Sequence, residues 1–284
     1  MTSDVKDRCY IVTGAAGGLG RAMAKGLLDA GAMVVAGDLK PDRFGPVPRA
    51  QGARCRAISL DVCRLEDAER AVATALDLFG RLDGIINNAG IGQESITADY
   101  IRNPVPFWSV RPDLWRKIVE VNTLGPFHMA YAATPAMLRS GHGRIINVTT
   151  SLTTMLRRGM APYAGSKAAT EAHSAIMAQD LAGSGITVNV LIPGGPVDTP
   201  MIPPETGFDR AALLKPDVMV APLLWLLSPA ADAVTGRRFV AALWDESRDP
   251  AEAAERAGAP AGWPIPDRGH AIVPVGTEPS EAMA

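Results

Sequence analysis

CYIVTGAAGGLGRAMAKGLL, residues 9–28, starts as an apolar strand pattern, breaks into glycines and resumes as a helix. A nucleotide pyrophosphate needs a tight turn, a close backbone approach and the free N–H groups of a helix start. Gly14, Gly18 and Gly20 stand where those three requirements fall. A glycine cluster alone is a weak signal, and its place between strand and helix gives it weight.

On either side of this unit the chain repeats the same alternation. MVVAGD, CRAISLD, LDGIINNAG, GRIINVTT, ITVNVLIPG and TGRRFVAAL read as further strands, with helical patterns such as LEDAERAVATALDLFG between them. The reading is α/β: a Rossmann-like, doubly wound, mostly parallel sheet of about seven strands with helices on both faces. Residues 1–244 make one domain in this reading, with a long excursion at 91–113 that reads as a lid, a binding loop or a partly disordered segment. Residues 245–284 are rich in Pro, Ala and Gly and read as an extension without a core of its own.

Composition narrows the partners. Charged residues are 20% of the 284 and the formal net charge is -2, so there is no electrostatic case for nucleic acid or an anionic membrane. Cys9, Cys55 and Cys63 lack metal-ligand spacing and suit a reducing cytoplasm. The four histidines are scattered, and no metal site is expected. The N-terminus does not read as a secretory signal, and no apolar run is long enough for a spanning helix.

Two further features carry chemistry. Asp38 closes the second strand, about 20 residues past the glycines, where a carboxylate accepts both hydroxyls of an adenosine ribose. It repels a 2'-phosphate and so argues for NAD over NADP, with Lys40 and Arg43 nearby as a counterweight. Tyr163 and Lys167 are four residues apart on one helix face. A free tyrosine, with a pKa of about 10, is a poor base at neutral pH. An adjacent ammonium stabilises the phenolate and lowers that value. Such a pair suits removal of an alcohol proton as a hydride leaves.

TGAAGGLG at 13–20, Asp61-Val62, NNAG at 87–90, Asn122, the hydroxyl–Tyr163–Lys167 group and Pro193-Gly194 occur in that order. Over residues 8–243 the chain resembles the classical short-chain dehydrogenase/reductase family. The resemblance implies pyrophosphate and ribose binding at Gly14, Gly18, Leu19 and Gly20, and ribose binding at Asp38. It puts Asp61 and Val62 by the adenine and Asn88 and Ala89 by the inner ribose, with Asn87 steadying the strand end. Tyr163 becomes the general acid/base, and Lys167 the group that holds the nicotinamide ribose and lowers the tyrosine pKa. Asn122 supports a water-linked proton relay, while Val197 and Thr199 hold the carboxamide. A homo-oligomer, tetramer or dimer, is also implied.

The departures from the family pattern set further expectations. Where the family usually has serine, thirteen residues before the tyrosine, this chain has Thr150 followed by Ser151. Thr150 is preferred as the orienting hydroxyl, because strand alternation turns Ser151 away if the strand continues. The turn PGGPVDT is one residue longer than the common form. Tyr100, Phe107, Trp108, Met155, Leu156, Pro200, Met201 and Ile202 are candidate lining for an apolar or cyclic secondary alcohol, with Arg157 and Arg158 available to an acidic one. Trp244 and Trp263 suggest a tail that reaches over the site or a neighbouring subunit. Epimerisation or dehydration by transient oxidation, and a non-catalytic NAD-binding sensor or structural protein, are the alternative functions.

Overall fold

The computed structural model describes residues 4–46 and 49–263. Strands β1 (Cys9–Thr13), β2 (Met33–Asp38), β3 (Cys55–Ser59), β4 (Gly84–Asn87), β5 (Gly143–Val148), β6 (Ile186–Ile192), β7 (Arg237–Val240) and β8 (Gly258–Pro260) form one sheet. Its order is β3-β2-β1-β4-β5-β6-β7-β8, parallel throughout except for the antiparallel β7–β8 pair. The Rossmann-like α/β reading holds, with eight strands in place of seven. The eighth comes from the segment expected to drape without a core. Helix α8 (Pro250–Ala257) precedes it and buries Ala253, Ala254 and Ala257, while β8 occupies the otherwise open edge of β7. Residues 264–284 lie outside the described residues.

The helices cover both sheet faces, so β1 and β6 are buried at every position, as parallel strands between two helical layers must be. Tyr10 and Val12 point into one core with Met23 and Leu27 of α1 (Gly18–Asp29) and Leu223 and Trp225 of α7 (Val220–Leu226). Cys9 and Ile11 point into the other, with Ala71 and Val72 of α2 (Leu65–Phe79) and Met129 and Met137 of α4 (Gly125–Ser140). Each large side chain buried this way contributes about 1.5–3 kcal/mol against exposure. Among the described residues no helix is long and apolar enough to cross a membrane.

The pattern LWRKIVEVNTLGPFHMAYAAT, read as one helix, is interrupted. Helix α3 (Pro112–Val119) passes into a π-helical turn at Glu120–Leu124 before α4 begins. Pro126 has no N–H to give the carbonyl four residues back, that of Asn122. The Thr170 hydroxyl, on α6 (Tyr163–Asp180), donates to that carbonyl instead, at 2.7 Å.

Strand order reverses between β1 and β4, and the carboxyl ends of β1, β4 and β5 meet there. A crevice at such a switch point is where open α/β sheets bind ligands.

Candidate active site

The glycine turn joins β1 to α1 through close backbone approaches. Gly14 has φ +65°, and a methyl group on it would lie 2.9 Å from the Ala89 Cα. A methyl on Gly20 would overlap the Gly14 carbonyl oxygen. Thr13 Oγ1 accepts from the N–H groups of Asn88 and Ala89, each at 3.0 Å, and Asn88 Nδ2 donates to the Thr13 carbonyl at 2.9 Å. These bonds lock the NNAG segment to the glycine turn. Helix α1 has no side-chain cap, so its first N–H groups lack a side-chain acceptor and suit an anion. Asp38 Oδ2 accepts from Ala16 N at 3.0 Å and Oδ1 from Lys40 N at 2.9 Å, tying the end of β2 to the same turn.

A cleft of about 740 Å³ runs from this turn to the start of α6. Gly14, Gly18, Leu19 and Asp38 line one end, and Asn88 and Ala89 the middle. Thr150, Tyr163 and Lys167 line the other end, while Val197 and Thr199 also lie on the wall. Thr199 approaches Gly18 so closely that a methyl there would be 3.1 Å from Thr199 Cγ2. Gly20, Asp61, Val62 and Asn122 are not on the wall. Gly20 packs beneath Gly14, Asp61 Oδ1 accepts from Cys63 N at 3.0 Å, and Val62 is buried against Gly125.

Asn122 stands behind the cleft, fully buried. Its Nδ2 donates to the Ile91 carbonyl at 2.8 Å and to Ser166 Oγ at 3.0 Å, and its Oδ1 accepts from Ile91 N at 3.0 Å. The root of the 91–113 excursion is thereby pinned to α6. Ser166 Oγ in turn donates to the Tyr163 carbonyl at 2.6 Å.

The proton-bearing groups are sorted by their partners. The Thr150 hydroxyl hydrogen-bonds the Tyr163 phenol, which lowers the phenol pKa, but burial dominates and pushes it up to about 12. Lys167 is 4% exposed, and burial brings its amine down to about 8. Lys167 Nζ donates to the Val148 carbonyl at 2.8 Å. Burial thus dominates at both groups, in place of the expected lowering of the tyrosine by the ammonium. Ser151 is engaged elsewhere: it caps the short α5 (Leu152–Met155), its Oγ accepting from Thr154 N at 3.1 Å. The alternation argument for Thr150 does not apply, since β5 ends at Val148.

Behind Thr150 lies a network that the sequence reading missed. Buried Glu171 pairs with Arg238 and accepts from Thr149 Oγ1 at 2.7 Å, and Arg238 Nη2 donates to the Thr150 carbonyl at 3.1 Å. The Gly262 N–H reaches Glu171 Oε1 at 3.3 Å, so the C-terminal segment touches the same pair. A charged residue in an inner parallel strand demands a buried partner, and the arginine in TGRRF carried that signal.

Tyr100, Met160 and Ala164 form a small apolar cluster, with Ile101, Tyr163 and Ile202 packed on it. Tyr100, Pro200, Met201, Ile202 and Arg157 line the cleft. Phe107, Trp108 and Leu156 do not, and are 62%, 75% and 80% exposed. Met155 is buried outside the wall, and Arg158 is exposed away from it. Trp244 stacks on Trp225 at 5.6 Å, and β8 holds the chain near Trp263 at the sheet edge, so neither tryptophan reaches the cleft. Gln93 and Glu94, also missed, line the end near Tyr163.

The family model for short chain dehydrogenases matches residues 8–207. The chain is 32% identical over 254 residues to a 2,5-dichloro-2,5-cyclohexadiene-1,4-diol dehydrogenase of Sphingobium indicum, covering 87% of this chain and 93% of that protein. It is 28% identical over 242 residues to a 3-oxoacyl-[acyl-carrier-protein] reductase of Vibrio harveyi, covering 82% and 95%. The crystal structure of a 3-ketoacyl-(acyl-carrier-protein) reductase from Brucella melitensis, complexed with NADH, superposes with a TM-score of 0.70 at 29% identity, covering 81% and 95%.

Proposed function

The chain belongs to the short-chain dehydrogenase family, and on that premise we propose that it transfers a hydride between NAD(H) and a secondary alcohol or ketone of mainly apolar or cyclic character. The observation that carries this reading is one cleft holding the glycine cradle at one end and Thr150, Tyr163 and Lys167 at the other. The cradle suits a dinucleotide, because Gly14 and Gly20 permit the close backbone packing that shapes the turn, and α1 offers uncapped N–H groups. Gly14, Gly18, Leu19 and Asp38 would hold the adenosine and pyrophosphate portion. Asn88, Ala89, Lys167, Val197 and Thr199 would hold the nicotinamide portion. Asp61, Val62 and Gly20 support that surface from behind.

When bound, the nicotinamide supplies the hydride acceptor or donor. The protein handles the proton. Thr150 orients the substrate oxygen, and Tyr163 takes the alcohol proton or returns it to a carbonyl. Lys167 would hold the nicotinamide ribose, and Asn122 fixes the backbone that places both groups. The carboxylate of Asp38 on the wall favours NAD over NADP.

Phe127, Tyr131 and Leu138 are about half exposed along one face of α4, which supports assembly as a dimer or tetramer. The thiols of Cys9, Cys55 and Cys63 are free, in keeping with a reducing cytoplasm.

The reading is tested by a panel of secondary alcohols and ketones with NAD(H) and NADP(H), followed by absorbance of the reduced nicotinamide. Turnover with NAD(H) on a cyclic or apolar alcohol supports it. Absence of turnover together with absence of coenzyme binding refutes it.

A further inference from the structure

Two adjacent acceptors at the Tyr163 end of the cleft have no hydrogen-bond partner. Gln93 is 2% exposed; its Nε2 donates to the carbonyls of Gly159 at 2.7 Å and Ala161 at 3.0 Å, while its Oε1 is buried and unpaired. Glu94 Oε1 accepts from Gly92 N at 3.1 Å, and its Oε2 is likewise buried and unpaired. Among the described residues Glu94 makes no ion pair, and burial raises its pKa. It lines the same cleft as Tyr100 and Tyr163, at the reacting end.

Nothing in the fold requires an acid there. The surrounding cluster of Tyr100, Met160, Ile101 and Ile202 is apolar, and a buried acceptor without a donor is unfavourable. Gln93 has a structural task, since its amide N–H groups tie residue 93 to the loop that leads into α6. Glu94 has none beyond its bonds to the backbone of its own turn. Its side chain lines the cleft, and the terminal torsion of a carboxyl is broad.

We propose that Glu94 accepts a hydrogen bond from a second hydroxyl of the substrate, so that the preferred substrates are diols or hydroxy ketones in place of simple alcohols. Gln93 Oε1 is the neighbouring acceptor for the same donor. A neutral hydroxyl suits the site better than an ammonium, because the surrounding cluster of Tyr100, Met160, Ile101 and Ile202 is apolar and a buried cation costs more to desolvate. This inference rests on the dehydrogenase reading above.

The test compares kcat/KM for cyclohexanol with those for cyclohexane-1,2-, 1,3- and 1,4-diol, using NAD, in the wild type, Glu94→Leu and Glu94→Gln. Every substrate meets the same Tyr163, so the ratio of diol to mono-alcohol isolates the second hydroxyl. At least one diol is expected to exceed cyclohexanol by about tenfold or more in the wild type. That ratio should collapse towards unity in Glu94→Leu and be largely kept in Glu94→Gln, which retains an acceptor oxygen. Equal use of all four alcohols, or a preference that survives Glu94→Leu, overturns the inference while leaving the dehydrogenase reading intact. Preference for 2-aminocyclohexanol over every diol also overturns it, by assigning the carboxylate to a cation. No oxidation of any of these compounds overturns the inference, and absence of coenzyme binding as well overturns the dehydrogenase reading with it.

Discussion

Arg238 Nε lies 2.9 Å from Glu171 Oε1, and the pair sits directly behind the Thr150 backbone. Glu171 is fully buried and Arg238 is 7% exposed. Truncating one partner leaves an unpaired charge in the interior, which costs about 3–5 kcal/mol. Arg238→Met is therefore expected to lose that much unfolding free energy in a denaturant titration. The double variant Arg238→Met with Glu171→Gln should recover a large part of it. Equal losses in the single and double variants would contradict the ion-pair argument.

The glycine turn gives a prediction on binding. At Gly20 an added methyl meets backbone, not the flexible end of a side chain, so the turn itself must shift. Gly20→Ala is expected to weaken NADH binding about tenfold or more, measured by fluorescence titration. A comparable methyl at Gly17 meets nothing within 4 Å. Gly17→Ala should leave binding within about threefold, the difference between the two variants being steric.

Thr150 and Ser151 are expected to separate cleanly. Thr150→Ser should keep turnover, because the hydroxyl beside Tyr163 remains, whereas Thr150→Ala should lower kcat about 10²-fold or more. Ser151→Ala removes the α5 cap and should cost about 1 kcal/mol of stability with most activity kept. Steady-state kinetics on the three variants decide it. Loss of turnover in Ser151→Ala alone would reverse the assignment.

Lys167 gives a pH dependence with a definite sign. Its amine is lowered from 10.5 to about 8 in the folded chain. Between those values the unfolded chain holds the extra proton, so stability rises with pH; below about 8 the burial cost is present in full. Lys167→Met carries no such cost. Its stability advantage over the wild type should shrink by about 2 kcal/mol between pH 7 and pH 9.5. A constant difference across that range would show that the amine is not desolvated.

Much of this was readable from local pattern. The glycines at 14, 18 and 20, Asp38 and the Tyr163–Lys167 pair each answer a requirement set within a few residues of chain, and the seven strands β1 to β7 follow from alternation. Glu171 and Arg238 were not readable as a pair, because 67 residues separate them and only the sheet brings them together. The break at Asn122 had its signal in Pro126, but the helical periodicity around it masked the lost hydrogen bond. Aromatic residues 107 and 108 sit in a segment without periodicity, so nothing local told which way they face. The eighth strand is three residues long, too short for any pattern to show.

The most direct test is Tyr163→Phe, assayed for nicotinamide-linked turnover alongside NADH binding. Retained coenzyme binding with a fall in kcat of about 10³-fold or more is the expected result, since the variant loses only the hydroxyl that moves the proton. Turnover near the wild-type rate in Tyr163→Phe would contradict the assignment of proton transfer to this tyrosine.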